Sequence, residues 1–271
     1  MNKLLKIVMI AFITTCCRIA LQLIMPNSSQ TVLKASVFVI KGTLPFAFSL
    51  LSLLTYSLLA GLILLVSKVL KKNKIKLKFT LIFCILWSSY LFEPLPHAVS
   101  LFWDSFAYVL VDSLALLVMG FLLELFFPEN VQPNELVNKK KTHLLSIINC
   151  LFPTILFLLG RLALYQVFTI YSAFETQPAK TLLWAFITGS VASCVTLWFS
   201  QQAQDSGKFK QPILLGITFY ATNLFFFNSF MLLVFDFNLV DLALRTGIDI
   251  LTISLGLLLT TLIRKNERNL L

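Results

Sequence analysis

Charge is scarce in this chain. Asp, Glu, Lys and Arg make up 13% of its 271 residues, against 58% hydrophobic, and the mean hydropathy is +0.87. A soluble domain of this length needs far more polar residues to cover its surface, so a soluble fold is excluded. Histidine is scarcer still, with His97 and His143 the only two. The five cysteines (Cys16, Cys17, Cys84, Cys150 and Cys194) stand in apolar segments, with no Cys-x-x-Cys and no Cys/His group. That pattern argues against a metal site and against an external disulfide framework, and the cysteines read as small buried hydrophobes. HExxH, GxSxG, the Walker A loop and paired glutamates of an intramembrane protease are missing too. With no nucleophile beside a base, the sequence offers no support for catalysis, and no cofactor or metal is expected.

What fills the chain instead is a succession of apolar runs. About 20 apolar residues suffice to carry a helix across ~30 Å of hydrocarbon. Eight such spans are expected, near 4–25, 44–66, 77–93, 104–126, 144–170, 180–200, 211–235 and 242–263. The expected fold class is therefore all-α, a polytopic integral membrane helical bundle of eight transmembrane helices. The breaks have local causes: Pro26-Asn27-Ser28-Ser29, Glu93-Pro94-Leu95-Pro96, Pro128-Glu129-Asn130, Glu175-Thr176-Gln177-Pro178 and the polar stretch from Gln201 to Lys210. The start, MNKLLKIVMIAFITTCC, has the two lysines and apolar core of a signal peptide. Its ITTCC approximates a lipoprotein cleavage box, with Thr15 where a smaller residue belongs. Because the apolar run continues to Met25 and further spans follow, an uncleaved first helix is expected.

The formal charge of +10 lies between apolar runs, where basic residues orient a membrane protein rather than bind nucleic acid. Placing the N-terminus inside puts Lys3 and Lys6 there, then Lys68, Lys71, Lys72, Lys74, Lys76 and Lys78, then Lys139 to Lys141, Lys208, Lys210, Arg264, Lys265 and Arg268. The outer side keeps Lys34, Lys41, Lys180 and Arg245. Both termini are thus expected to be cytoplasmic, in a cell (inner or plasma) membrane. His97 and His143 then fall on opposite sides of the bilayer and cannot meet. The lysine-rich loop 67–78 acts as a topology signal and also suits anionic lipid headgroups.

Two segments resemble each other across the halves. VDSLALLVMGFLL (111–123) and IDILTISLGLLL (248–259) each open with a branched aliphatic and an aspartate and carry a glycine seven or eight positions on. Asp104 stands eight residues before Asp112, and Asp241 eight before Asp249. An arginine precedes each set, at a separation of 94 residues from Arg18 to Asp112 and 88 from Arg161 to Asp249. Two diverged four-helix repeats explain this, residues 1–127 and 143–271, joined by a cytoplasmic linker at 128–142, the second ending in a short basic tail. With four spans each, both halves enter the membrane the same way, so the repeats are parallel. The loops do not match, and Arg245 falls where the first half has Tyr108.

Helical rise puts Arg18 about 10 Å and Asp112 about 12 Å below the outer boundary, with Asp104 as the cap of its helix. Asp241 as the cap of the last span puts Asp249 at about 12 Å, and Arg161 lies about 13 Å deep. A lone charge at such depth costs roughly 2.5–3.5 kcal/mol on the insertion scale, so pairing or water access is expected. Arg18–Asp112 with Arg161–Asp249 is one solution, and cross-repeat pairing, Arg18–Asp249 with Arg161–Asp112, is the other. Asn223 and Asn228 are candidates for a polar path or for bonds across helices. Gly189, Gly120 and Gly256 mark expected close helix contacts, and Trp103 and Phe106 anchor an outer loop at the interface.

These features point to a transporter or permease-like protein with a repeat-related Arg/Asp site in the outer half of the membrane. Its guanidinium forks would bind a small anionic or amphipathic substrate. The alternative is a non-catalytic membrane subunit, assembly or immunity-type protein that acts by contacting a membrane protein partner, its Arg/Asp pairs being structural.

Overall fold

The computed structural model of the chain describes residues 2–25, 34–70, 74–94, 105–128, 147–207 and 211–270. Their helices are α1 (Lys3–Ile24), α2 (Val37–Ile40), α3 (Leu44–Leu70), α4 (Ile75–Leu91), α5 (Ala107–Phe126), α6 (Ile147–Gln166), α7 (Pro178–Asp205), α8 (Pro212–Ser229), α9 (Met231–Val234) and α10 (Leu239–Leu270). Among the described residues, extended pairing is limited to an isolated antiparallel bridge between Ala35 and Phe235.

Seven helical stretches among the described residues are long and apolar enough to cross a membrane: α1, α3, α5, α6, α7, α8 continuing through α9, and α10. A helix satisfies its own backbone polar groups, which is what a hydrocarbon solvent demands. Large apolar side chains such as Leu54, Phe121, Leu159 and Leu255 are exposed along these helices, as lipid-facing residues would be. The architecture is that of a helical, multi-pass membrane protein. The run expected as a third span forms α4, whose 17 residues extend about 25 Å and fall short of the hydrocarbon thickness.

The start of α4 depends on a neighbour. Lys74 turns the chain in the left-handed region (φ 50°), and α4 has no side-chain cap of its own. Glu124 of α5 supplies one: its Oε1 accepts the N–H groups of Lys76 (2.9 Å) and Leu77 (3.2 Å). Its Oε2 lies 3.4 Å from Lys76 Nζ. Lys76, read in the sequence as part of a cytoplasmic lysine-rich loop that suits anionic lipid, is buried.

The described chain divides into two compact units. The first comprises Met1–Phe92, His97–Glu135 and Phe226–Phe237. In it α1 packs against α3 and α5, and α4 against α5. Backbone bonds fasten the 226–237 segment: Ser36 N–H donates to the Val234 carbonyl (3.2 Å) and Asp236 N–H to the Lys34 carbonyl (2.9 Å). The Ser36 hydroxyl adds a bond to the Leu233 carbonyl at 2.5 Å. The second unit comprises Glu93–Pro96, Leu136–Phe225 and Asn238–Leu271, with α6 packed on α7 and α10. Each unit therefore contains a short segment from the other half of the sequence, one following α4 and the other spanning the end of α8 and α9.

Close packing inside the units uses missing side chains. Pro153 within α6 is met by Gly256 of α10, where a Cβ would lie 2.5 Å from the Pro153 Cα. Gly120 of α5 is likewise filled by Thr80 of α4, and Gly189 of α7 lies against Phe157. Small residues let helix backbones approach in this way. The cysteines differ from the buried reading: Cys84 is buried, but Cys16 and Cys194 are exposed on the helix surfaces. In an apolar solvent a thiol gains little from burial, so nothing drives it inward.

Candidate functional site: two buried arginine centres

In the first unit, Arg18 lies six residues before the end of α1 and Asp112 in the second turn of α5. Arg18 Nε donates to Asp112 Oδ1 at 2.7 Å, and both side chains are about nine-tenths buried. Among the described residues this is the only hydrogen bond either side chain makes. The guanidinium carbon sits 4.3 Å from the Phe48 ring centroid and 5.6 Å from that of Phe230. Phe48 lies on α3, and Phe230 follows α8. The rings take the cation by a face, while its edge with Nη1 and Nη2 carries no hydrogen bond among the described residues.

Further buried polar groups stand on α1 and α3. Thr15 Oγ1 on α1 and Ser52 Oγ, Thr55 Oγ1 and Tyr56 Oη on α3 are buried and have no hydrogen-bond partner among the described residues. Ser52 and Tyr56 continue from Phe48 at intervals of four, so they share its face of α3.

The second unit is built differently. Arg161 lies five residues before the end of α6, is fully buried, and has all three guanidinium nitrogens bonded. Nε and Nη2 grip Asp249 of α10 at 2.7 and 2.5 Å, the parallel fork geometry that favours carboxylates. Nη1 donates to Glu93 Oε1 at 2.9 Å. The rings of Trp184 (4.8 Å) and Phe157 (5.5 Å) complete the enclosure. Glu93 also accepts from Arg245 Nη1, and Arg245 Nη2 donates to the Tyr171 carbonyl at 2.6 Å. Asp241 closes the network: its Oδ2 accepts the Tyr171 N–H at 2.8 Å and its Oδ1 lies 3.6 Å from Arg245.

Each arginine meets the aspartate of its own half of the sequence, and neither bonds the other half's aspartate. Neither arginine bonds to Asn223, fully buried in the second unit, or Asn228, buried in the first. Asp104, expected as a cap, lies outside the described residues, as do His97, Trp103 and His143. Asp241 sits in the first turn of α10 but faces Tyr171 and Arg245, and Asn238 Oδ1 accepts the Val240 N–H in the capping role. The helix begins earlier than the apolar run suggested, which shifts the cap upstream.

Two residues of the second centre escape the sequence reading. Arg245, taken for an outer-side charge, had a usable signal: Asp241, Arg245 and Asp249 recur at intervals of four and share one helix face. Glu93, taken for a helix stop, had none, because no local pattern tells that it serves a distant arginine. An open apolar depression of about 440 Å³ along α10, from Leu239 to Ile248, brings no charged side chain to either centre.

Comparison with protein-family models, with curated proteins and with solved structures finds no match to this chain. The reading of function therefore stands on the two centres themselves. A bidentate, enclosed arginine clamps helices together, whereas one that uses a single nitrogen keeps donors for something else.

Proposed function

We propose that this is a permease-like transporter of eight spans, both termini cytoplasmic, built from two diverged four-helix repeats. Its Arg/Asp centres in the outer half of the membrane take a small anionic or amphipathic substrate. The observation that carries this reading is the repetition of one construction. In each unit an arginine near the end of the first long helix bonds an aspartate on the last, α1 with α5 and α6 with α10. Each arginine is also met by a residue that follows the other half's third long helix, Phe230 after α8 and Glu93 after α4. Convergent polar groups at a repeat-related site are how parallel-repeat transporters hold substrate near mid-membrane. Short as it is, α4 counts as the eighth span, since bilayers thin locally around short helices at modest cost. The lysines of 67–78 other than Lys76, which serves Glu124, would meet anionic lipid.

A second reading, a non-transporting membrane subunit, assembly or immunity-type protein, is favoured by the Arg161 centre alone. Its nitrogens are all occupied and its surface is sealed, as in a structural clasp. Reconstitution into liposomes with uptake of labelled small anions separates the two. Arg18→Lys and Asp112→Asn should abolish uptake while leaving yield and monodispersity near wild type. Uptake preserved in the swapped pair, Arg18→Asp with Asp112→Arg, would show that only the pair's existence matters and would sink the transporter reading.

A further inference from the structure

Resting on the transporter reading, we propose that the two centres have divided roles. Arg161 is a closed clasp, and the seam between α1 and α3 beside Arg18 is the binding site, selective for a small polar zwitterion carrying one carboxylate and one ammonium.

The first argument is unused capacity. Arg18 spends one nitrogen and Asp112 one oxygen on each other. Among the described residues Nη1, Nη2 and Oδ2 have no hydrogen-bond partner. Nη1 and Nη2 form the paired donor edge that matches the two oxygens of a carboxylate. Asp112 Oδ2 remains as an acceptor for an ammonium proton. The same type of pair in the second unit has no such vacancy, because Asp249 gives both oxygens to Arg161 and Glu93 takes the remaining nitrogen.

The second argument is charge balance. Arg18 and Asp112 together are neutral, so a bare anion entering the seam would leave a net buried negative charge. Burying an unpaired charge is expensive, and more so away from water. A zwitterion adds one charge of each sign, and each finds an opposite partner. The neutral pair thereby discriminates against a plain carboxylic acid anion and against a plain amine.

The third argument is independent of the ion pair. Four buried hydroxyls stand on the two helices of that seam, without a hydrogen-bond partner among the described residues: Thr15, one turn before Arg18 on α1, and Ser52, Thr55 and Tyr56 following Phe48 on α3. Tyr56 is within electrostatic reach of both Arg18 and Asp112. Buried polar atoms are nearly always bonded, so a cluster of four without partners marks a place where bound water or a ligand completes them. Hydroxyls both donate and accept, which suits a polar remainder on the ligand.

Three probes built on one skeleton test this with the full-length protein in nanodiscs: L-serine, its deaminated form 3-hydroxypropionate, and its decarboxylated form ethanolamine. Equilibrium binding should favour L-serine by at least ten-fold over either fragment, with a matching rise in unfolding temperature. Arg18→Lys should remove that binding. Asp112→Asn should reduce L-serine to the level of 3-hydroxypropionate. Tyr56→Phe, which keeps the ring, should weaken L-serine several-fold without lowering the unfolding temperature of the ligand-free protein. Equal binding of 3-hydroxypropionate and L-serine would overturn zwitterion selectivity and leave the anion-transporter reading intact. Binding that survives Arg18→Lys but is lost in Arg161→Lys would overturn the division of roles. No binding by any of the three would overturn both.

Discussion

Arg161 and Asp249, 88 positions apart in the chain, are joined by two parallel hydrogen bonds of 2.7 and 2.5 Å with no exposed surface on either side chain. The bond between Arg18 and Asp112 is single, although the same two residue types meet there. The difference comes from the third participant. Glu93 takes Arg161 Nη1, whereas Arg18 is met by the apolar ring of Phe230, which leaves its Nη1 and Nη2 without a hydrogen bond among the described residues.

Removing Arg161 should be far more damaging than altering Arg18. In Arg161→Ala, Asp249 and Glu93 lose their shared cation in a buried site, and breaking such a pair by deleting one partner costs roughly 3–5 kcal/mol. Thermal unfolding in detergent should show a large drop for Arg161→Ala and a small one for Arg18→Lys. Equal drops would contradict the difference in hydrogen bonding.

Glu93 and Arg245 should be energetically coupled. Glu93→Gln alone leaves two guanidiniums against a neutral amide, with a loss on the order of 1.5–3 kcal/mol for charge-assisted bonds. Arg245→Gln should therefore cost less in the Glu93→Gln background than in the wild type. A double-mutant cycle on unfolding midpoints measures this, and strict additivity would argue that the two side chains act apart.

Gly256→Ala should separate α6 from α10. The added methyl would lie 2.5 Å from the Pro153 Cα, a backbone atom that cannot rotate away. Overpacking of this kind costs about 1–3 kcal/mol. Gly61→Ala, in α3 with nothing within 4 Å of the new Cβ, is the matched control and should be neutral or stabilising by up to ~1 kcal/mol.

Cys150 of α6 and Cys194 of α7 should cross-link under mild oxidation, because their sulfurs lie 3.3 Å apart. Mass spectrometry after alkylation should find those two thiols lost together, with Cys16 and Cys84 still free. Replacing either cysteine by serine should leave the other alkylatable. Failure to cross-link in the intact protein would mean that α6 and α7 are packed in another register.

The sequence makes the four central charges legible because each interrupts an apolar run at a depth that matches an opposite charge. Arg18 and Asp112 stand out for that reason, as do Arg161 and Asp249. Helix positions follow equally from apolar length, α4 included: the run at 77–93 gives a helix at Ile75–Leu91, whose 17 residues make it the shortest of the expected spans. Glu93 was illegible for a different reason. It looks like helix punctuation beside Pro94, and its partners, Arg161 and Arg245, are brought to it by tertiary structure alone. The bond between Lys76 and Glu124 escaped similarly, since a lysine among lysines gives no hint that one of them is interior. Neither helical period nor charge count distinguishes an arginine with a full set of partners from one with a single bond.

The exchanged segments impose an order on biosynthesis. Glu93 leaves the ribosome 68 residues ahead of Arg161, a cation that neutralises it, and Phe230 emerges long after Arg18 and Asp112. The first half cannot finish its own interior until the segment carrying Phe230 has been translated. An insertion machinery handling this chain has to shelter an unmatched acid through two further helices, and a nascent chain stalled between the halves would display that acid to any quality-control protease able to recognise it.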